Sequence, residues 1–151
     1  MSECGCGAPV AETADRRNRC AACGTIYDRN AGYYGPMKTA TKDSWKREPA
    51  AGPFEAHAVS WPFDAADLDR IRWGLVPRAM EEKWFAWAEG NELFLHRSWT
   101  GLLCFVLRIG TAGIDQVSIA THMPNHATQL KLARWIVESM LVGRDWPFPD
   151  F

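Results

Sequence analysis

The chain predicts an α+β fold: an antiparallel β-meander of about four strands packed against a C-terminal α-helix, with a small N-terminal zinc ribbon-like appendage. Three observations predict it. Between residues 83 and 121, short aromatic and apolar runs are separated by Gly-containing turns too short to hold a crossover helix. From residue 126 to 142 the apolar residues recur instead at three- and four-residue spacing. Finally, four of the 5 cysteines fall within the first twenty-three residues, as Cys4-Gly5-Cys6 and Cys20-Ala21-Ala22-Cys23.

Residues 1–30 form the cysteine module. Two close thiolate pairs joined by a short loop can surround one ion, which a tetrahedral Zn²⁺ site requires. Gly5, Gly7 and Gly24 permit the tight backbone that brings the sulfurs together. The second pair has the spacing of a metal knuckle, and the first is one residue shorter. The expected ligands are Cys4, Cys6, Cys20 and Cys23. With the shell closed by protein, the zinc is structural. The alternatives are four unligated thiols, or an iron–sulfur cluster, whose common spacings this pattern does not match. Arg16, Arg17 and Arg19 in the intervening loop can touch the phosphates of a nucleic acid. Glu3, Glu12, Asp15 and Asp28 offset them, and a solvated loop is favoured.

Residues 31–80 read as a connector rich in turn formers: Gly32, Gly35, Pro36, Pro49, Gly52, Pro53 and Pro62. Within it, Val59, Trp61 and Phe63 predict a short strand. Asp64 caps a short helix that runs to about Arg72 through the helix formers Ala65, Ala66 and Leu68.

Residues 81–151 form the regular domain. Lys83 to Ala88 is an aromatic strand, Glu89-Gly90-Asn91 a turn, and Glu92 to Thr100 the return strand. Gly101 breaks the run before the apolar strand Leu102 to Ile109. Gly110 and Gly113 mark another turn, and Gln116 to Thr121 is the fourth strand. Asn125 then caps a helix from His126 to Val142, and Gly143 stops it. Leu130, Ala133, Val137, Met140 and Leu141 form the stripe that covers one sheet face. The apolar tail Trp146-Pro147-Phe148-Pro149 docks on the domain.

The bulk properties narrow the function classes. A hydrophobic content of 47% with 23% charged residues describes a folded protein. The net charge of −1 excludes a protein that coats nucleic acid by bulk electrostatics. No run approaches the roughly 18–20 apolar residues of a membrane span. No basic stretch leads into an apolar one at the N-terminus, so a cytoplasmic location is expected. Thiols stay reduced there, which favours metal over disulfides. The 8 tryptophans imply an aromatic core or a recognition surface.

The densest chemistry lies in the hairpin. On a strand, Phe94, His96, Ser98 and Thr100 share one side, and Leu93, Leu95, Arg97 and Trp99 the other, so both faces mix apolar bulk with hydrogen-bonding groups. Lys83, His96, Arg97, Ser98, Trp99 and Thr100 are the candidate ligand-binding residues, because guanidinium, ammonium and hydroxyl groups hold a phosphate-like anion. Trp84, Trp87 and Trp99 supply faces on which a ring can stack. The competing reading is a satisfied polar network inside an aromatic core, with Arg97 paired to Glu81 or Glu82. Catalysis ranks below both, because no nucleophile elbow, phosphate loop or zinc-protease motif is present. His96 as base and Ser98 as nucleophile would lack an orienting acid. His122 and His126 read as ordinary loop and first-turn residues, and Cys104 as an inert core thiol.

Lys83-Trp84-Phe85 followed by His96-Arg97-Ser98-Trp99-Thr100-Gly101 resembles an uncharacterised family of small bacterial domains, mainly over residues 80–109. The resemblance implies no activity by itself, although similar domains accompany ADP-ribose-processing proteins. The cysteine module lies outside the resemblance. The leading expectation is a non-enzymatic recognition domain for a protein partner or an anionic, nucleotide-like ligand. A small enzyme acting on a phosphate-containing or ADP-ribose-related substrate is the second. A structural or immunity-type scaffold is the third.

Overall fold

The computed structural model describes residues 39–50, 52–77 and 83–149 fully, and before residue 39 only five short strands, by their backbone. Those strands are β1 (Ser2–Glu3), β2 (Pro9–Val10), β3 (Arg17–Arg19), β4 (Ile26–Asp28) and β5 (Gly35–Met37). β1 pairs with β2, and β3, β4 and β5 form a small antiparallel sheet. By sequence, Cys4 and Cys6 fall between β1 and β2, and Cys20 and Cys23 between β3 and β4. All four cysteines lie outside the described residues, as do Arg16, Glu81 and Glu82.

The remainder is an antiparallel sheet with helices, an α+β arrangement. Its elements are β6 (Phe54–Pro62), α1 (Ala65–Trp73), β7 (Trp84–Glu89), β8 (Glu92–Arg97), β9 (Leu103–Ile109), β10 (Gly113–Ala120) and α2 (His126–Trp135). A π-helical stretch, Ile136–Val142, continues α2. The sheet order is β6-β10-β9-β8-β7: β7 to β10 form the four-strand meander, and β6 adds a fifth strand beside β10. The added strand, β6, comes from the stretch read as a connector and pairs along the whole of β10, from Gly113↔Pro62 to Ala120↔Phe54.

Local chemistry explains the helix ends. The Asp64 side chain accepts from the Asp67 amide at 2.8 Å and starts α1. Asn125 caps α2 through Thr128 N–H at 3.3 Å, and Gly143, at φ 91°, ends the continuation. Beyond α1, Leu75 exchanges backbone hydrogen bonds with Ala86 at 2.8 and 2.9 Å, which covers the outer edge of β7.

One sheet face is covered by the helices, and the other is covered over β7 and β8. On one, Trp84, Leu93, Leu95, Phe105, Leu107, Val117 and Ile119 pack against Leu68 and Ile71 of α1 and against Ala133, Ile136, Val137 and Leu141. On the other, Phe85, Trp87 and Phe94 pack under a strap formed by residues 39–50, through Ala40 and Trp45. Arg144 joins α1 to the π-helical stretch, donating to buried Glu138 at 2.7 Å and to buried Asp67. The C-terminal tail docks on α2, where Phe148 meets Trp135 edge-on and Trp146 lies under Arg134.

Candidate functional site

The segment from His96 to Gly101 turns the chain between β8 and β9. The return strand expected to reach Thr100 ends at Arg97, and residues 98–100 form a turn. Arg97 N–H donates to the Leu102 carbonyl at 3.0 Å, and Gly101 N–H to the Arg97 carbonyl at 2.8 Å. Gly101 has φ 77°, and a Cβ there would meet the Lys46 carbonyl oxygen at 3.2 Å, so this corner needs glycine.

His96 and Ser98 build the turn from its strap side. His96 is buried, its Nε2 accepting from Trp87 Nε1–H at 3.0 Å and its Nδ1 bonded to the Gly101 carbonyl at 2.8 Å. Indole N–H can only donate, so Nε2 carries no proton and Nδ1–H is the donor. Burial, opposed by the Gly101 hydrogen bond and reinforced by the Arg47 cation, holds the imidazole pKa below its ordinary value. Ser98 is also buried, its amide donating to the Lys83 carbonyl at 2.9 Å and its own carbonyl accepting from Trp45 Nε1–H at 2.8 Å.

Lys83, Arg97, Trp99 and Thr100 lie on the other side, where they line a cleft of about 740 Å³. Leu102, Cys104, His122, Met123, Gln129 and Leu132 complete its wall. Four of the six candidate residues thus share one cavity, whereas His96 and Ser98 do not line it. The strand alternation behind the original grouping fails here, because a turn carries Trp99 and Thr100 to the same hollow.

The cleft has a definite chemical character. Arg97 lies over the buried Trp84 ring, 4.9 Å from its centroid, which props the guanidinium at the rim. Among the described residues, neither Lys83 nor Arg97 forms an ion pair with a carboxylate, and no acid lines the cleft. Trp99 is 60% exposed, whereas Trp84 and Trp87 are core residues at 3% and 5%, so one of the three candidate stacking rings is presented to solvent. The rest of the wall is largely apolar.

Cys104 enters the wall through a bulge. Leu95 pairs with Phe105 and His96 with Leu103, leaving Cys104 as an extra residue in β9. The thiol joins the helix-side core, and desolvation raises its pKa to about 11 despite the Arg97 cation. It is therefore a neutral wall group.

Sequence patterning missed the contribution of His122, Met123, Gln129 and Leu132, which arrive through the turn after β10 and through α2. It also missed a second feature at the same end of the sheet. There, Glu55, His57 and His126 cluster with metal-ligating atoms all within 4.8 Å of one another.

No protein-family model, curated protein or solved structure matches this chain. No helix among the described residues is long and apolar enough to cross a membrane.

Proposed function

We propose that the chain is a non-enzymatic binding domain whose cleft takes a small anionic ligand bearing a ring, of the nucleotide or ADP-ribose kind. One observation carries this reading. Lys83 and Arg97, without a carboxylate partner among the described residues, share a cleft of about 740 Å³ with the exposed Trp99 ring. Two cations with no carboxylate partner among the described residues attract a phosphate or pyrophosphate, and the guanidinium adds a directional donor fork. The indole and the apolar wall accept a base or ring, in a volume suited to one such molecule.

The enzymatic alternative loses its base and nucleophile at this cleft, because His96 is hydrogen-bonded on the far side of the turn and neither it nor Ser98 lines the cavity. Binding is tested by thermal shift of the full chain with AMP, ADP and ADP-ribose. A saturable rise that is largely lost in Arg97→Gln and Lys83→Gln supports the reading. The reading fails if none of the three ligands shifts the melting temperature, or if both variants respond like the wild type.

The N-terminal module is proposed to hold structural zinc on Cys4, Cys6, Cys20 and Cys23. Supporting this, each cysteine pair falls in sequence between two antiparallel strands, as knuckle ligands do. Elemental analysis is expected to find zinc in the wild type, its content falling by one per chain in Cys20→Ser/Cys23→Ser. A metal-free wild type would remove the proposal.

A further inference from the structure

We infer that Glu55, His57 and His126 form a binding site for a divalent transition-metal ion, separate from the cysteine module and from the anion cleft. Glu55 and His57 are two residues apart on β6, which puts both side chains on one face of the strand. His126 is the first residue of α2. The chain reaches it from β10, whose final residues pair with the start of β6: Ile119 opposite Glu55, and Ala120 opposite Phe54. Asn125, at φ 53°, then turns the backbone so that α2 starts beside that strand. Three donors far apart in sequence are thus held together by the sheet register and one helix cap.

The distances suit a single ion. His57 Nε2 and His126 Nδ1 are 3.0 Å apart, and the Glu55 carboxylate oxygens lie 3.6 Å from the first and 3.7 Å from the second. In a tetrahedral site with metal–ligand bonds of about 2.0–2.1 Å, neighbouring donor atoms are roughly 3.3 Å apart. A hydrogen bond between the two imidazoles explains the shortest separation alone. It leaves the carboxylate facing both rings beyond hydrogen-bond reach, whereas a cation at the centre engages all three groups.

Donor type narrows the ion. Two imidazoles and one carboxylate suit Zn²⁺, Co²⁺ or Ni²⁺, and not the all-oxygen shells of Mg²⁺ or Ca²⁺. The imidazoles are sheltered, at 23% and 18% side-chain exposure, while Glu55 is 61% exposed, so one side of the cluster is open to solvent. Three protein ligands with an open side leave a fourth position for water or a ligand atom, unlike the closed four-thiolate shell proposed for the N-terminus.

Co²⁺ titration of the full chain carrying a single equivalent of zinc, for the cysteines, tests this, with visible absorption and side-chain NMR of the histidines as readouts. One equivalent of Co²⁺ is expected to bind without thiolate charge-transfer absorption and to broaden the His57 and His126 signals selectively. Zn²⁺ should displace it, and Mg²⁺ should not. Affinity should fall at least tenfold in His57→Ala and in His126→Ala, and remain in Cys20→Ser/Cys23→Ser. Should a histidine variant misfold, Glu55→Gln, at an exposed position, is expected to weaken Co²⁺ by about tenfold. Unchanged affinity in Glu55→Gln or in folded histidine variants overturns the site, as does Co²⁺ binding that disappears with the cysteines.

Discussion

Acidification should loosen the fold through His96, and the structure sets both sign and size. In the folded chain, Nε2 must stay unprotonated to accept from Trp87 Nε1–H at 3.0 Å. Protonation would place two N–H donors face to face inside a buried site beside the Arg47 cation. Burial, more than that cation, keeps the folded pKa below the ordinary 6.5, while the Gly101 hydrogen bond acts the other way. The unfolded chain therefore takes up this proton near pH 6.5 and the folded chain only at lower pH. Stability is complete above that value and declines as pH falls below it, until the folded imidazole protonates as well. Losing one buried hydrogen bond and leaving its donor unmet costs about 1–3 kcal/mol. For a chain of this size that lowers the melting temperature by roughly 2–12 °C. Calorimetry from pH 8 to pH 5 measures it, with His96→Phe as the comparison, since Phe keeps a ring but has no proton to gain. The variant should melt lower than wild type at pH 8 and decline less toward pH 5. An equal decline in the two proteins would refute the reasoning.

Arg144→Met should destabilise the domain by about 2–4 kcal/mol in urea unfolding, because Asp67 and Glu138 are left buried with weaker partners. The estimate lies below the usual cost of breaking a buried pair because the Arg144 side chain is 40% exposed. A loss under about 0.5 kcal/mol would contradict the bridging role. Cys104, whose thiol pKa is about 11, should escape alkylation in the native chain at pH 7.5 and react in urea, as read by mass mapping. Native labelling at the rate of an exposed thiol would show the wall to be open there.

Much of the fold was legible because its signals are local. Asp64, Asn125 and Gly143 carry cap chemistry within a few residues of the ends they set, and the Gly-marked turns delimit β7 to β10. The full length of β6 was not legible, because Phe54 to Ala58 is mostly exposed and lacks a buried alternation. Its strand character comes from pairing with β10, about sixty residues later in the chain. The strap carries only turn signals in sequence, yet Glu48 N–H donates to the Gly101 carbonyl at 2.8 Å, and the Glu48 carbonyl accepts from Leu103. The π-helical stretch escaped because its apolar residues fit a 3.6-residue period almost as well as a wider one.

The candidate site was legible in part. Residue types named Lys83, Arg97, Trp99 and Thr100, but strand periodicity grouped them wrongly, because a turn begins after Arg97. His96 and Ser98 share their motif while serving the opposite side of it. The His57–His126 approach spans 69 residues and depends on β6 register, so no local pattern contained it.

The most direct measurement is the Arg97 side-chain Nε–H resonance, assigned with Arg97→Gln and followed while ADP-ribose is added to the full chain. A saturable shift of that signal together with the Trp99 indole, while the buried Trp87 indole stays still, is the predicted result. Saturable binding that moves other resonances but neither Arg97 nor Trp99 would contradict an anion site in this cleft.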